Sequence, residues 1–136
     1  MIYLLDVNAL LALSVLRHEF HERMTDWISQ LTRNEIPELA TCSITELGFV
    51  RVLCQAEKGR FSVSQARELL HLLKSDKTAH YTFIVDGHDI SHLPDWVKSP
   101  NQTTDGHLVE LAKANGARLS TLDEKIKGAF LIPQSR

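Results

Sequence analysis

The sequence holds too few cysteines for a disulfide scaffold, and two alone do not make a zinc site. Cys42 and Cys54 are the only ones, and both sit in apolar stretches that suit small buried hydrophobes. No run approaches the roughly 20 apolar residues that cross a bilayer, so a membrane-spanning helix is excluded. Excess positive charge is missing too. The net charge of −2 argues against a protein that holds nucleic acid by bulk electrostatics. Repeats, low-complexity segments and linkers are absent, and 136 residues read as one domain, 1–136, long enough to bury a core. The opening Met1-Ile-Tyr-Leu-Leu-Asp6 carries neither a basic region nor a cleavage site, so a cytoplasmic protein is expected.

What is present is an alternation of short strands and helices. Ile2–Leu5 is a short apolar run ending at an acid, as in a buried strand. Phe20, Met24, Trp27, Ile28 and Leu31 recur at helical spacing and predict an amphipathic helix over about 19–32. Leu39–Cys42 reads as a second strand, and 44–55 as a helix apolar nearly all round. Ser62-Val-Ser-Gln65 resembles a capping box opening a helix whose face is Ala66, Leu69, Leu70 and Leu73. Residues 81–85 form a third strand candidate, and the stretch 87–101, with Pro94 and Pro100, reads as irregular. A helix from about Thr104 to Asn115, stopped by Gly116, leads to a fourth strand at 118–121 and a short fifth at 130–132. The pattern predicts an α/β fold of three layers, α/β/α, around a central parallel sheet of four to five short strands. Such sheets bind ligands at the carboxyl ends of their strands.

Four acids fall at that end. Asp6 follows the first strand and Asp123 the fourth. Glu46 lies in the first turn after the second strand, and Asp105 in the first turn of the helix before the fourth. Each also has a purely structural explanation. Glu46 completes a capping-box pattern, Ser43-Ile-Thr-Glu46. Asp105 complements a helix dipole. Asp123 caps a short 124–128 helix, and Asp6-Val-Asn8 is turn chemistry. Helical phase favours a functional reading for two of them. Asp105 shares a stripe with Leu108, Val109 and Ala112, and Glu46 one with Phe49, Val50 and Leu53, so both carboxylates turn toward the apolar side. A buried, unpaired carboxylate costs several kcal/mol, and several together call for cations. An oxygen-only donor set suits Mg²⁺ or Mn²⁺, and two such ions roughly 4 Å apart suit phosphodiester hydrolysis. Asn8 is placed to orient Asp6 or a metal-bound water, with Thr104 and Thr121 as supporting hydroxyls. Masking four acids with divalent cations would make the charge balance positive, so near-neutrality weighs less against a metal-loaded enzyme.

Leu4-Leu-Asp-Val-Asn-Ala9, Thr45-Glu46, Thr104-Asp-Gly-His-Leu-Val-Glu-Leu-Ala112 and Leu119-Ser-Thr-Leu-Asp123 together resemble the PIN-domain family, and within it the VapC-type toxin ribonucleases of bacterial toxin–antitoxin pairs. The motifs span nearly the whole chain in the family's order. The resemblance implies a Mg²⁺- or Mn²⁺-dependent endoribonuclease acting on tRNA, rRNA or mRNA and leaving a 5′-phosphate and a 3′-hydroxyl. It implies a homodimer, and a cognate antitoxin whose C-terminal segment enters the acidic groove. By position, Asp6, Glu46, Asp105 and Asp123 match the family's acids, which serve as catalytic residues and metal ligands, and Asn8 its accessory polar residue. Val7 departs from a position where a hydroxyl is common, and Gly106 from one where Ala is usual. Gly106 either weakens its helix by up to about 1 kcal/mol or permits close approach.

Two other functions compete. A phosphatase of the haloacid dehalogenase type also starts from an acid after the first strand, but needs a second acid where Asn8 stands. A non-catalytic module would use the acidic groove to bind a basic peptide. Among the remaining polar residues, His18 and His21 are expected on a solvated helix start, and His107, about 100° per residue away from Asp105, on the surface. His88, Asp89 and His92 form a denser loop cluster that reads as polar surface or substrate contact. Arg17, Arg51, Lys98, Lys125 and Lys127 are candidate phosphate contacts on solvated faces. Trp27 is expected in the core, and Trp96 as a base-stacking platform.

Overall fold

The structure is a computed structural model and describes residues 1–56 and 59–135. Its sheet has five parallel strands in the order β3-β2-β1-β4-β5. They are β1 (Ile2–Leu5), β2 (Glu38–Cys42), β3 (His80–Ile84), β4 (Ala117–Thr121) and β5 (Phe130–Leu131). Parallel neighbours require crossovers, which helices supply. The two-residue period of the strands sorts side chains into two cores. Leu5 and Leu39 pack on one face with Leu10, Met24, Trp27, Phe49 and Leu70. Leu4, Ala40, Cys42 and Leu119 pack on the other with Leu108, Leu111 and Ala112. Helices α1 (Val7–Ser14), α2 (His21–Thr32), α3 (Ser43–Ala56) and α4 (Val63–Ser75) cover the first face, and α5 (Thr103–Ala114) covers the second. This is the three-layer arrangement that the sequence predicts.

Helix α1 is the element that sequence periodicity does not show. Ala9, Leu10, Leu11 and Ala12 are all buried, so the helix has no polar face to set a 3.6-residue contrast against. Its start is set by Asp6, whose Oδ1 accepts the Ala9 N–H at 2.8 Å; the residue is a helix cap rather than a turn. Gly48 lets α1 and α3 meet. A Cβ on Gly48 would lie 2.5 Å from a methyl carbon of Val7, so Val7 stands where a hydroxyl is usual because it fills this seam.

Other elements form for the reasons legible in the chain. Ser62 and Gln65 make the reciprocal capping box that opens α4. Gly116, at φ +67°, ends the turn after α5 in a conformation that favours glycine. Trp27 is in the core, edge-on to Tyr3 at 5.0 Å. Three expectations are corrected. Helix α3 is not apolar-buried all round, since Leu47 is 68% exposed. Trp96 is half-buried against the second core rather than presented as a platform. Residues 124–128 form turns, not a helix, so Asp123 caps nothing helical; its Oδ1 accepts the Lys125 N–H at 2.9 Å. Gly106 takes its close-approach role, because Val97 and Pro94 pack where its Cβ would stand.

Beyond β5 the chain is tied down by a buried cation. Arg23 of α2 donates through Nε to the carbonyls of Ile132 (3.1 Å) and Pro133 (3.2 Å), and through Nη2 again to Ile132. Its guanidinium also lies over the Phe20 ring. A charge this buried is tolerated only when its donors are used.

Candidate active site

The carboxyl ends of the strands gather three acids. Register places Leu5 opposite Ser120, so Asp6 emerges beside Thr121 and its backbone N–H donates to the Ser120 carbonyl at 3.2 Å. Asp6 is only 8% exposed. Burial pushes its carboxyl up to about 6, against the pull of hydrogen bonds from the Thr121 hydroxyl and the Ala9 N–H, and the charges of Asp105 and Asp123 push it further up. Thr121 is itself held, since its Oγ accepts the Asp123 N–H at 3.0 Å. A short relay therefore runs from the Asp123 backbone through Thr121 to Asp6. Asp105, half-buried in the first turn of α5, is also raised, first by burial and then by Asp123. Asp6 and Asp105 are thus partly desolvated carboxylates, and the charge of the exposed Asp123 opposes both.

Glu46 is positioned differently. Its inward phase is as the sequence predicts, yet the capping box does not form; the Thr45 hydroxyl accepts the Cys42 N–H at 3.0 Å in its place. Glu46 Oε2 accepts instead from Thr41 Oγ1 at 2.6 Å and from Lys74 Nζ at 2.5 Å. Neither partner stood out in the sequence. A signal existed for both. Lys74 lies one helical turn beyond Leu70 on its buried stripe, and Thr41 shares the strand face of Leu39. The fourth acid thus carries its own cation, supplied from α4 to α3.

The supporting polar residues divide. Thr121 takes the role expected of it, while Thr104 is exposed. Asn8 is exposed and faces away from the acid cluster's hydrogen bonds, its Oδ1 lying 3.1 Å from Nε2 of His18. His18 and His21 are not a solvated helix start. His18 Nδ1 accepts the Phe20 N–H, burial lowers the ring's pKa, and His21 Nδ1 lies 2.7 Å from the Ala12 carbonyl. His107 is likewise not a surface residue. Its side chain is 17% exposed, with Nε2 2.5 Å from Oδ2 of Asp86. The helix angle that turns His107 away from Asp105 turns it toward the loop after β3.

The donor set fits a divalent cation. Asp6, Asp105 and Asp123 offer oxygen alone, the ligand type of Mg²⁺ and Mn²⁺, and their mutual repulsion is what such an ion relieves. Among the described residues no three His, Cys, Asp or Glu side chains stand close enough to enclose an ion by themselves.

Comparison with known proteins places this chain in a class. Residues 3–129 match the PIN domain, and the chain belongs to that family. Among its relatives, ribonuclease VapC38 of Mycobacterium tuberculosis is 37% identical over 98% of this chain and 91% of its own length. Ribonuclease VapC44 of the same organism is 38% identical over 90% and 87%, and ribonuclease VapC29 is 30% identical over 98% of both. The crystal structure of PAE2754 from Pyrobaculum aerophilum shares the fold, with a TM-score of 0.60 at 23% identity over 96% of this chain and 83% of that one.

Proposed function

We propose that this protein is the toxin of a toxin–antitoxin pair, an endoribonuclease that hydrolyses RNA phosphodiester bonds with Mg²⁺ or Mn²⁺. The observation that carries the reading is the buried, raised Asp6 sharing its surroundings with Asp105 and Asp123. The ribonuclease names of relatives spanning nearly the whole chain support the substrate class, and they disfavour a non-catalytic peptide-binding module. Asp6, Asp105 and Asp123 would hold the cation, with Glu46 as a fourth acid. A bound ion of this kind would supply activation of water and neutralise charge on the phosphodiester.

The chain's own residues do the positioning. The Ala9 N–H and the Thr121 hydroxyl hold Asp6 in one orientation, and the Asp123 N–H holds Thr121. Lys74 fixes Glu46 at the edge of the groove between α3 and α4. That groove, about 1000 Å³, is lined by Leu47, Val63, Arg67 and Lys74 among others. Its exposed apolar and basic residues beside an acid support docking of an antitoxin segment there. The reading carries with it a homodimer, a cytoplasmic site of action and an RNA substrate that is tRNA, rRNA or mRNA.

The test is cleavage of defined RNAs with added Mg²⁺ or Mn²⁺, comparing the wild type with Asp6→Ala and Asp105→Asn. Both variants are expected to lose cleavage while remaining folded. Metal-dependent cleavage retained by both would sink the site assignment.

A further inference from the structure

The loop after β3 builds a second cluster of side chains that the acid site does not use. Asp86 leaves the carboxyl end of the sheet and receives His107 at 2.5 Å through Oδ2 and the His88 N–H at 3.0 Å through Oδ1. Burial pushes the Asp86 carboxyl up, but these bonds and the two rings outweigh it and hold it below the ordinary value. His88 stacks on His92 with centroids 4.0 Å apart and planes 19° apart, and stands edge-on to His107 at 6.2 Å. One acid thus holds the His107 ring and the backbone of His88, and His92 backs the His88 ring.

A small cavity of about 210 Å³ opens between them, lined by His88 and His107, by the first-turn residues Thr103 and Thr104 of α5, and by Ile44 and Leu93. Thr104 precedes Asp105 and Ile44 is two residues before Glu46, so the cavity borders the same first turns of α5 and α3 that carry these two acids. Nδ1 of His88 is buried without a hydrogen-bond partner among the described residues. No bond at that nitrogen holds the ring in one of its two flips.

We infer that this cavity is a nucleobase subsite, which seats one unpaired base of an RNA strand next to the bond being cut. The inference rests on the ribonuclease reading above. Unpaired RNA bases are recognised by stacking on aromatic rings, histidine included, and by hydrogen bonds along their edges. Here two imidazole rings, two hydroxyls, the Asp89 carboxylate and the apolar side chains of Ile44, Ile90 and Leu93 line a space of about 210 Å³, large enough for one base. Charge selects the base over the backbone, because Asp86 and Asp89 beside the cavity repel a phosphate while a neutral base meets no such penalty.

The experiment measures anisotropy of labelled single-stranded rA10, rC10 and rU10 against a ten-unit abasic ribose-phosphate chain, with EDTA present to prevent turnover. Stacking of one base is worth roughly a five- to hundredfold change in affinity. The wild type is expected to prefer at least one homopolymer over the abasic chain by such a factor. His88→Ala and His92→Ala should abolish the preference and leave abasic-chain binding unchanged. His92 is exposed, so its variant decides the matter if His88→Ala fails to fold by circular dichroism. Equal binding of homopolymers and abasic chain, or a preference that survives His92→Ala, overturns the subsite. Metal-dependent cleavage of RNA by the wild type is read in parallel. Cleavage without base preference sinks the subsite alone, and base preference without cleavage keeps the base-binding cavity but sinks the ribonuclease reading and, with it, the cavity's place beside a bond being cut.

Discussion

Replacing Asp6 with Asn should stabilise the metal-free protein at neutral pH, although it removes a residue of the proposed active site. The Asp6 carboxyl rises from 3.8 to about 6 on folding. Between those values the folded chain keeps a proton that the unfolded chain has released, so stability falls as pH rises through that window. Below pH 4 both states are protonated and nothing is lost. Above about pH 6 the full cost is present, a little over two pH units at about 1.4 kcal/mol each, or about 3 kcal/mol. The substituted amide carries no charge. Its carbonyl can still accept the Ala9 N–H, and the Thr121 hydroxyl has a second lone pair for its NH₂ group. Asp6→Asn is therefore expected to unfold roughly 10 °C higher than the wild type at pH 7.5 in EDTA, with little difference at pH 4. Calorimetry at the two pH values measures this. Mn²⁺ supplies a second arm, since an ion bound only by the folded state raises wild-type stability by mass action and should do so far less for the variant. A variant no more stable than the wild type at pH 7.5, or one stabilised equally at pH 4, would refute the argument that buried charge at Asp6 is held against a cost.

Two further outcomes test the framework around the site. Gly48→Ala drives a methyl into Val7 and should cost about 1–3 kcal/mol in urea unfolding; adding Val7→Ala should recover at least half of that loss, and strictly additive losses would show that the α1–α3 seam is not tight. Arg23→Met keeps the packing but leaves the Ile132 and Pro133 carbonyls without their donors, which should cost about 2 kcal/mol and speed amide exchange around β5. Unchanged exchange there would mean that the guanidinium does not hold the last strand.

Strand and helix positions were legible in the chain because most elements carry a period. Phe20, Met24 and Trp27 mark α2, and Ser62 with Gln65 marks the start of α4. Helix α1 is not legible, since four consecutive buried residues, Ala9 to Ala12, leave no contrast to read. The acids were legible by position and phase, but their partners were not. Phase along α3 turns Glu46 inward without saying that Lys74, 28 residues further on, waits there. Phase along α5 turns His107 away from Asp105, and only the path of the loop after β3 shows that Asp86 covers it. Asn8 was placed beside Asp6 by its spacing of two residues. The helix that Asp6 caps carries it outward to His18 instead.

The strand order has a consequence for how this protein comes into being. β1 is made first but lies at the centre of the sheet, with β4 as one of its two neighbours. Asp6 meets Asp105 and Asp123 only after some hundred further residues have been added. Contacts so distant in sequence form late, and domains emerge from synthesis N-terminus first. A chain grown only through α4 therefore holds Asp6 and Glu46 and lacks Asp105 and Asp123. For an enzyme that would attack RNA in the cell that makes it, the acid cluster cannot be complete before Asp123 has been added.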